Sequence, residues 1–324
     1  MKKLIKNISD VISDDLNIYN QFVIDSLDSK VELINTILKY IIKFKGKQFR
    51  PILCILSARI VGEPNDTTFL SASTVEILHV ATLLHDDVVD SSNIRRGWPT
   101  INKVWNSKLA ILIGDYMFSR SLNNISQLDS LEHIKTLANI SQRLSEGEIL
   151  QIENAINKNI SEEIYFKMIA DKTASLISAS CKLGYISVSN DNNKNHLEKF
   201  GEYLGIAYQL KDDLFDVIGK LEHTGKPSNL DLKKNIMTLP YIHILNNVSS
   251  KKRKNIISKL KFHAKRNDFD NIKNLIYDNG GIDYVNKKIE EYSNMAFDEI
   301  SKFQDSVYKK LLIDTIEFNI DRKF

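Results

Sequence analysis

Cysteine, proline and tryptophan are scarce in this chain: 2, 5 and 2 among 324 residues. Cys54 and Cys181 both stand in apolar surroundings, and no Cys-x-x-Cys occurs. A disulfide framework is therefore excluded, and buried, reduced thiols are predicted. No proline lies between Pro99 and Pro227, so the long middle of the chain is free to be helical. No stretch approaches 18 uninterrupted apolar residues, which predicts no transmembrane helix. The opening Met1-Lys2-Lys3-Leu4-Ile5-Lys6-Asn7 lacks the continuous apolar segment of a signal peptide. A strong charge of either sign is missing too. The net charge is +3 and the pI about 8.5, too mild to point to nucleic acid. Such a balance suits an anionic small substrate held by a local basic cluster.

Hydrophobic residues make up 43% of the chain, enough for a large core and too many for disorder. The length allows one large domain or two smaller ones. Segments with three-to-four apolar spacing recur at 31–44, 69–88, 108–126, 131–154, 161–187, 194–218, 238–247, 251–261, 283–304 and 306–318. No convincing alternating strand is found. Connectors near 63–68, 91–99, 188–193 and 219–231 punctuate the helices, and none is long or polar enough to mark a domain boundary. The Lys- and Asn-rich stretch 249–267 reads as solvated surface.

Two aspartate clusters stand out, Asp86-Asp87-Val88-Val89-Asp90 and Asp212-Asp213-Leu214-Phe215-Asp216. Both read D-D-x-x-D. On a helix, i and i+4 share a face and i+1 lies beside them, so each cluster projects three carboxylates from one helix end. A single cluster of this kind is ordinarily a solvated helix end. Here both follow apolar residues, Val80 to Leu84 and Ile206 to Leu210, where idle carboxylates are costly. Two charges ~4 Å apart repel by about 4 kcal/mol at an effective dielectric near 20. If the two helices face each other, their carboxylates require cations. All-oxygen sites suit hard divalent ions, and Mg²⁺ in particular bridges carboxylates to phosphates.

Arg95-Arg96-Gly97 follows the first cluster closely. Arginine's planar fork fits phosphate oxygens, and a local Asp–Arg salt-bridge cluster is the plain alternative. Lys47-Gln48-Phe49-Arg50, read as Lys-x-x-Arg at a helix start, places two cations near a positive helix end. His79 lies two turns before Asp86 on roughly the same face, as a packed core residue or a hydrogen-bond donor. Glu76-x-x-His79 matches a di-iron motif, but no second copy exists.

Together these pieces resemble the trans-isoprenyl diphosphate synthase (polyprenyl synthetase) family over nearly the whole chain. The matching segments run in order: Gly46 to Pro51; His79 with Leu84 to Asp90; Arg95-Arg96-Gly97; Gly114-Asp115; Glu146-Gly147-Glu148 with Gln151; Lys172-Thr173; Gln209 with Asp212 to Asp216; Gly225-Lys226; Thr238-Leu239-Pro240. The end, Asp321-Arg322-Lys323-Phe324, resembles the arginine-containing tail of long-chain members. The resemblance implies an all-α fold, a single large helical bundle around a central cavity, spanning 1–324 as one domain. It implies a cytoplasmic homodimeric prenyltransferase that condenses isopentenyl diphosphate head-to-tail with an allylic diphosphate. Asp86, Asp87, Asp90, Asp212 and Asp216 would hold magnesium, about three ions per site, with Asp213 beside them as a further catalytic residue. Arg95, Lys172, Gln209 and Lys226 would bind the allylic diphosphate, and Lys47, Arg50, His79 and Arg96 isopentenyl diphosphate. Thr173 and the Gln209 amide would steady the cation. Neither nucleic acid nor an anchor is expected; a greasy product is compatible with brief membrane contact.

Two departures count. Ile236 stands where the family commonly has lysine, with Lys233 and Lys234 just before it, and the loop Lys226 to Asp231 lacks the usual glycine. Product length is read from Ala81 and Thr82, about one turn before Asp86, where shorter-chain members often carry a bulky aromatic. A helix over roughly 69–90 would be about 33 Å long, giving a product of about C30–C50 with octaprenyl as the central value. Met117 and Phe118 are candidates for the channel floor. The alternatives are a farnesyl or geranylgeranyl diphosphate synthase and a non-catalytic subunit of a heteromeric synthase. A terpene cyclase is disfavoured because Lys47, Arg50 and Arg96 make a second diphosphate site it does not need.

Overall fold

A computed structural model describes residues 2–43, 46–95, 97–157, 161–189, 191, 193–218, 232, 236–266 and 268–322. In chain order the elements are α1 (Lys2–Val11), α2 (Ser13–Ser26), α3 (Glu32–Lys43), α4 (Phe49–Arg59), α5 (Asp66–Val89), β1 (Ile94–Arg95), β2 (Trp98–Pro99), α6 (Ile101–Val104), α7 (Ser107–Ser126), α8 (Leu131–Asn157) and α9 (Glu162–Ile169). A π-helical turn, Ala170–Ala174, leads into α10 (Ser175–Ile186) and α11 (Lys194–Ile218). Then come α12 (Leu239–Asn246), α13 (Ser250–Lys265), α14 (Phe269–Asp278), α15 (Gly281–Ser301) and α16 (Val307–Asp321). The all-α expectation holds. Among the described residues the only sheet is the two-residue hairpin β1–β2, paired Ile94 with Pro99 and Arg95 with Trp98. Gly97, at φ 83°, makes its turn.

The chain forms two compact units. The first comprises Met1–Ser141, Leu176–Glu198 and Phe303–Leu312. Its central element is α5. A capping box starts that helix: Asn65 Oδ1 accepts from the Thr68 amide and Thr68 Oγ1 from the Asn65 amide, both at 3.1 Å. Ile77, Ala81 and Leu84 pack with Ala110, Ile113 and Met117 of α7 in one buried cluster. Each such leucine or isoleucine contributes about 2 kcal/mol through burial. Gly114 lets α7 pass the His85 ring, which a β-carbon there would strike. From Pro51 to Ala58, α4 is buried on every side. Gly184 of α10 admits the backbone carbonyl of Cys54, a contact no side chain would allow. Both cysteines are free and buried. By length and composition α5 could cross a membrane, but 61% of its most apolar window is buried within the protein, as in a core helix.

The second unit comprises Gln142–Ser175, Lys199–Lys302 and Ile313–Phe324. Its core joins Tyr165, Met168 and Ile169 to Leu210 and Leu214 of α11 and to Leu239, Tyr241, Ile242 and Leu245 of α12. Gly205 lies against Ala174, whose Cα would sit 2.5 Å from an added β-carbon. Thr238 caps α12 in extended geometry, and Pro240 occupies its first turn, where a missing amide hydrogen costs nothing.

Candidate active site

In the first unit, Asp86, Asp87 and Asp90 close α5. The middle carboxylate differs from its neighbours. Asp87 is 4% exposed and accepts from Arg95 Nε and Nη2, each at 2.8 Å. The β-hairpin carries Arg95 back onto the helix end, and Thr100 Oγ1 ties the return to the Ser92 carbonyl at 2.8 Å. The Asp–Arg alternative is therefore realised for Arg95. Asp86 is half-buried and Asp90 exposed, one helical turn apart on the same face. Lys47 is exposed just before α4, and Arg50 lies in its first turn, as the Lys-x-x-Arg reading requires. Arg50 Nη1 meets His79 Nε2 at 3.1 Å, which joins two residues expected to bind one diphosphate. A cavity of about 190 Å³ opens beside Asp87 and Arg95 and runs along α5 past Leu84, Leu83, Val80 and Ile77. Of the two residues named for the channel floor, Met117 lines the cavity and Phe118 does not. Ala81 does not; it is packed in the cluster shared with α7.

In the second unit, three of the expected residues, Thr173, Gln209 and Asp213, form one hydrogen-bonded chain. Thr173 Oγ1 donates to Gln209 Oε1 at 2.8 Å. Gln209 Nε2 donates to Asp213 Oδ1 at 2.6 Å, and the Tyr165 hydroxyl donates to the other carboxylate oxygen at 2.6 Å. Lys172 Nζ reaches Gln151 Oε1 at 3.1 Å and pairs with Glu148. Gly147 has a physical reason to stand between Glu146 and Glu148: a β-carbon there would lie 2.8 Å from the Lys172 amide nitrogen. Lys172 and Thr173 sit in the π-helical turn, whose extra residue swings side chains off the regular helical register, a frequent device at functional sites.

Behind this turn Arg143 binds Asp171 Oδ1 through Nε at 2.7 Å and Glu202 Oε1 through Nη2 at 2.8 Å. Lys167 Nζ takes the other Asp171 oxygen at 2.8 Å. Burial works to raise the Asp171 pKa, but the hydrogen bonds from Lys167 and Arg143 outweigh it and hold the carboxyl below its ordinary value. On Arg143 burial works downward, yet its bonds to Glu202 and Asp171 raise the guanidinium further above its already high value. Asp212 pairs with Arg322, the residue just after α16, whose guanidinium also lies 4.7 Å from the ring centres of Tyr208 and Phe215. Asp216 is half-buried.

Sequence reasoning missed Tyr165 and Arg143, since neither belongs to a motif and both act on partners 28 or more residues away. Arg96, Lys226, Lys233 and Lys234 lie outside the described residues.

The donor set can be tested against magnesium. Outer carboxylates are presented in i, i+4 pairs, with no nitrogen or sulfur donor among them, which suits a hard cation. Among the described residues no three His, Cys, Asp or Glu side chains converge into a ready-made metal cage.

The fold is that of the isoprenoid synthases. A crystal structure of a decaprenyl diphosphate synthase from Rhodobacter capsulatus superposes with a TM-score of 0.90, at 30% identity and covering 98% of each chain. A family model described as polyprenyl synthetase matches residues 31–277, and the chain belongs to that family of prenyltransferases. It is 31% identical over 321 residues to octaprenyl diphosphate synthase of Haemophilus influenzae, covering 99% of this chain and 98% of the relative. It is 32% identical over 242 residues to heptaprenyl diphosphate synthase component 2 of Geobacillus stearothermophilus, covering 74% and 76%.

Proposed function

We propose that the chain is a long-chain all-trans polyprenyl diphosphate synthase that adds isopentenyl diphosphate units head-to-tail to an allylic diphosphate. The observation that carries this reading is the set Gln151, Lys172, Thr173, Gln209 and Asp213, which gathers the family's motif residues from three stretches of sequence. Asp86, Asp90, Asp212 and Asp216, with Asp87 beside them, would hold magnesium. When bound, that ion neutralises the diphosphate and makes it a better leaving group. Arg95, Lys172, Lys226 and Gln209 donate to the allylic diphosphate. Lys47, Arg50, His79 and Arg96 hold isopentenyl diphosphate with its alkene toward the allylic carbon. The allylic C–O bond breaks, the alkene attacks the cation to form the new C–C bond, and a proton leaves to the departing diphosphate. The Gln209 amide and Thr173 hydroxyl place dipoles near the cation, and Asp213 with Tyr165 fixes the orientation of Gln209. The prenyl tail would extend alongside α5.

The single-domain organisation over 1–324, three magnesium ions per site, the cytoplasmic location and the homodimer belong to the same proposal. Ile111, Leu112 and Leu122 are exposed on α7, an apolar surface suited to a second copy. The component-2 relative supports a second reading, one subunit of a heteromeric synthase. The test is incubation of the purified chain with Mg²⁺, labelled isopentenyl diphosphate and farnesyl diphosphate, followed by sizing of the dephosphorylated products. A ladder ending at about C30–C50 is expected. Products stopping at C15–C20 would overturn the chain length, and inactivity restored by a second subunit would favour the heteromer.

A further inference from the structure

We propose that α13 is a docking surface for an anionic lipid bilayer. Between Ser249 and Asn267 the sequence carries eight lysines and arginines and no aspartate or glutamate. The whole chain is only +3, so the remainder is net acidic and the positive charge is concentrated on this one helix. The helix is held to the second unit by a single stripe, Ile256, Leu260 and Ala264, all buried. Arg253 is half-buried and donates to the Leu245 carbonyl at 2.8 Å. Lys251, Lys254, Lys259, Lys261, Lys265 and Arg266 are exposed. Among the described residues no carboxylate lies within ion-pair distance of them. The acidic residue just after the helix, Asp268, is engaged by His263 Nδ1 at 2.8 Å and by Asn271 Nδ2 at 2.7 Å.

One apolar side chain breaks this polar face. Phe262 is 50% exposed. At roughly 100° per residue it points almost directly away from the buried stripe, with Lys251, Lys265 and Arg266 around it. The Arg266 guanidinium lies 4.2 Å from its ring centre, over the ring face. A flat cationic face with an aromatic at its crest matches a headgroup layer: lysines meet phosphates while the ring enters the acyl boundary. A DNA duplex would satisfy the charge but keeps its bases stacked within the helix and offers nothing to the exposed ring. The benefit of docking rests on the long-chain reading above, since a polyprenyl product is insoluble in water; the binding itself does not.

The experiment is sedimentation of the full-length protein, without substrate, with phosphatidylcholine vesicles that contain or lack about one-third phosphatidylglycerol. Partition onto the anionic vesicles is expected to be at least ten-fold stronger and to fall with added salt. Lys254→Gln, Lys259→Gln, Lys261→Gln and Lys265→Gln together should weaken it about a hundred-fold or more. Phe262→Ala should weaken it several-fold with every charge retained. Turnover of farnesyl diphosphate in detergent should match the parent protein in both variants, which shows that they fold. Equal binding to neutral and anionic vesicles, or unchanged binding by the four-lysine variant, would overturn the proposal. So would an unaffected Phe262→Ala together with equally tight binding of a DNA duplex, because the helix would then be a general polyanion surface. Lack of turnover by the parent protein would sink the synthase reading and leave the vesicle result standing.

Discussion

Replacing Arg143 by leucine should destabilise the protein by about 3 kcal/mol and slow turnover through the π-helical turn. Asp171 is 6% exposed and accepts from Arg143 and Lys167. Without the guanidinium, its remaining partner is Lys167, whose side chain is 60% exposed and too well hydrated to compensate. Breaking a buried ion pair by removing one partner costs roughly 3–5 kcal/mol. Arg143 retains 26% exposure, so the lower end applies. Asp171 immediately precedes Lys172 and Thr173, and its displacement should lower kcat as well as stability. The assay is urea unfolding followed by two probes, to verify a single transition. A double-mutant cycle with Asp171→Asn should return a coupling of about 1.5 kcal/mol or more. The pH dependence has a definite sign. Asp171's folded pKa lies below its ordinary 3.8, so the stability it supplies is present above that value and is lost as pH falls through the lowered one. The gap between parent and variant should stay constant above about pH 5 and close in acid. A loss below about 1 kcal/mol, or additivity in the cycle within about 0.5 kcal/mol, would refute the reasoning.

Three further outcomes follow from the same contacts. Gly184→Ala should cost about 3 kcal/mol or more, because its β-carbon would collide with the Cys54 carbonyl of the wholly buried α4; a near-normal urea midpoint would disprove that close approach. Burial lowers His133 from 6.5 to about 4. Its neutral form is favoured in the fold, so stability should decline as pH drops through that interval, and His133→Gln should flatten the decline in pH-dependent unfolding. Arg322→Gln should tighten Mg²⁺ binding about five-fold in substrate-free calorimetry, since the guanidinium competes for Asp212; unchanged affinity would show that the pair does not compete.

What was legible in the sequence was local. The aspartate clusters, the helices bearing them and Lys47-x-x-Arg50 were readable because spacing and apolar context lie within a few residues. The start of α4 was readable from Lys47-x-x-Arg50, but its extent was not, because the helix is buried all round from Pro51 to Ala58 and shows no amphipathic period. The expected helix over 161–187 is interrupted by the π-helical turn, and no composition change marks that insertion. The connector 91–99 became a hairpin because Gly97 permits positive φ between two short paired strands. Tyr165 and Arg143 reach partners 48 and 59 residues distant, and no single-sequence period encodes such pairings.

The two aspartate motifs also share a division of labour that their identical spelling hides. In each, the second aspartate is the buried one: Asp87 at 4% and Asp213 at 6% exposure. Helix geometry explains why. The first and fifth positions of D-D-x-x-D share a face, while the second is rotated roughly 100° from the first. That rotation turns Asp87 toward Arg95 and Asp213 toward Tyr165 and Gln209. Both inward carboxylates are held without an added metal ion, Asp87 by the charge of the Arg95 guanidinium and Asp213 by hydrogen bonds from Tyr165 and Gln209. The outward pair, Asp86 with Asp90 or Asp212 with Asp216, is where an added divalent ion relieves repulsion. Each motif thus combines an anchor that fixes the helix end with a pair that, on the proposed function, would recruit metal, and the anchors bind Arg95 and Gln209, the two residues proposed for the diphosphate. On that proposal metal affinity and substrate orientation would be coupled through one turn of helix.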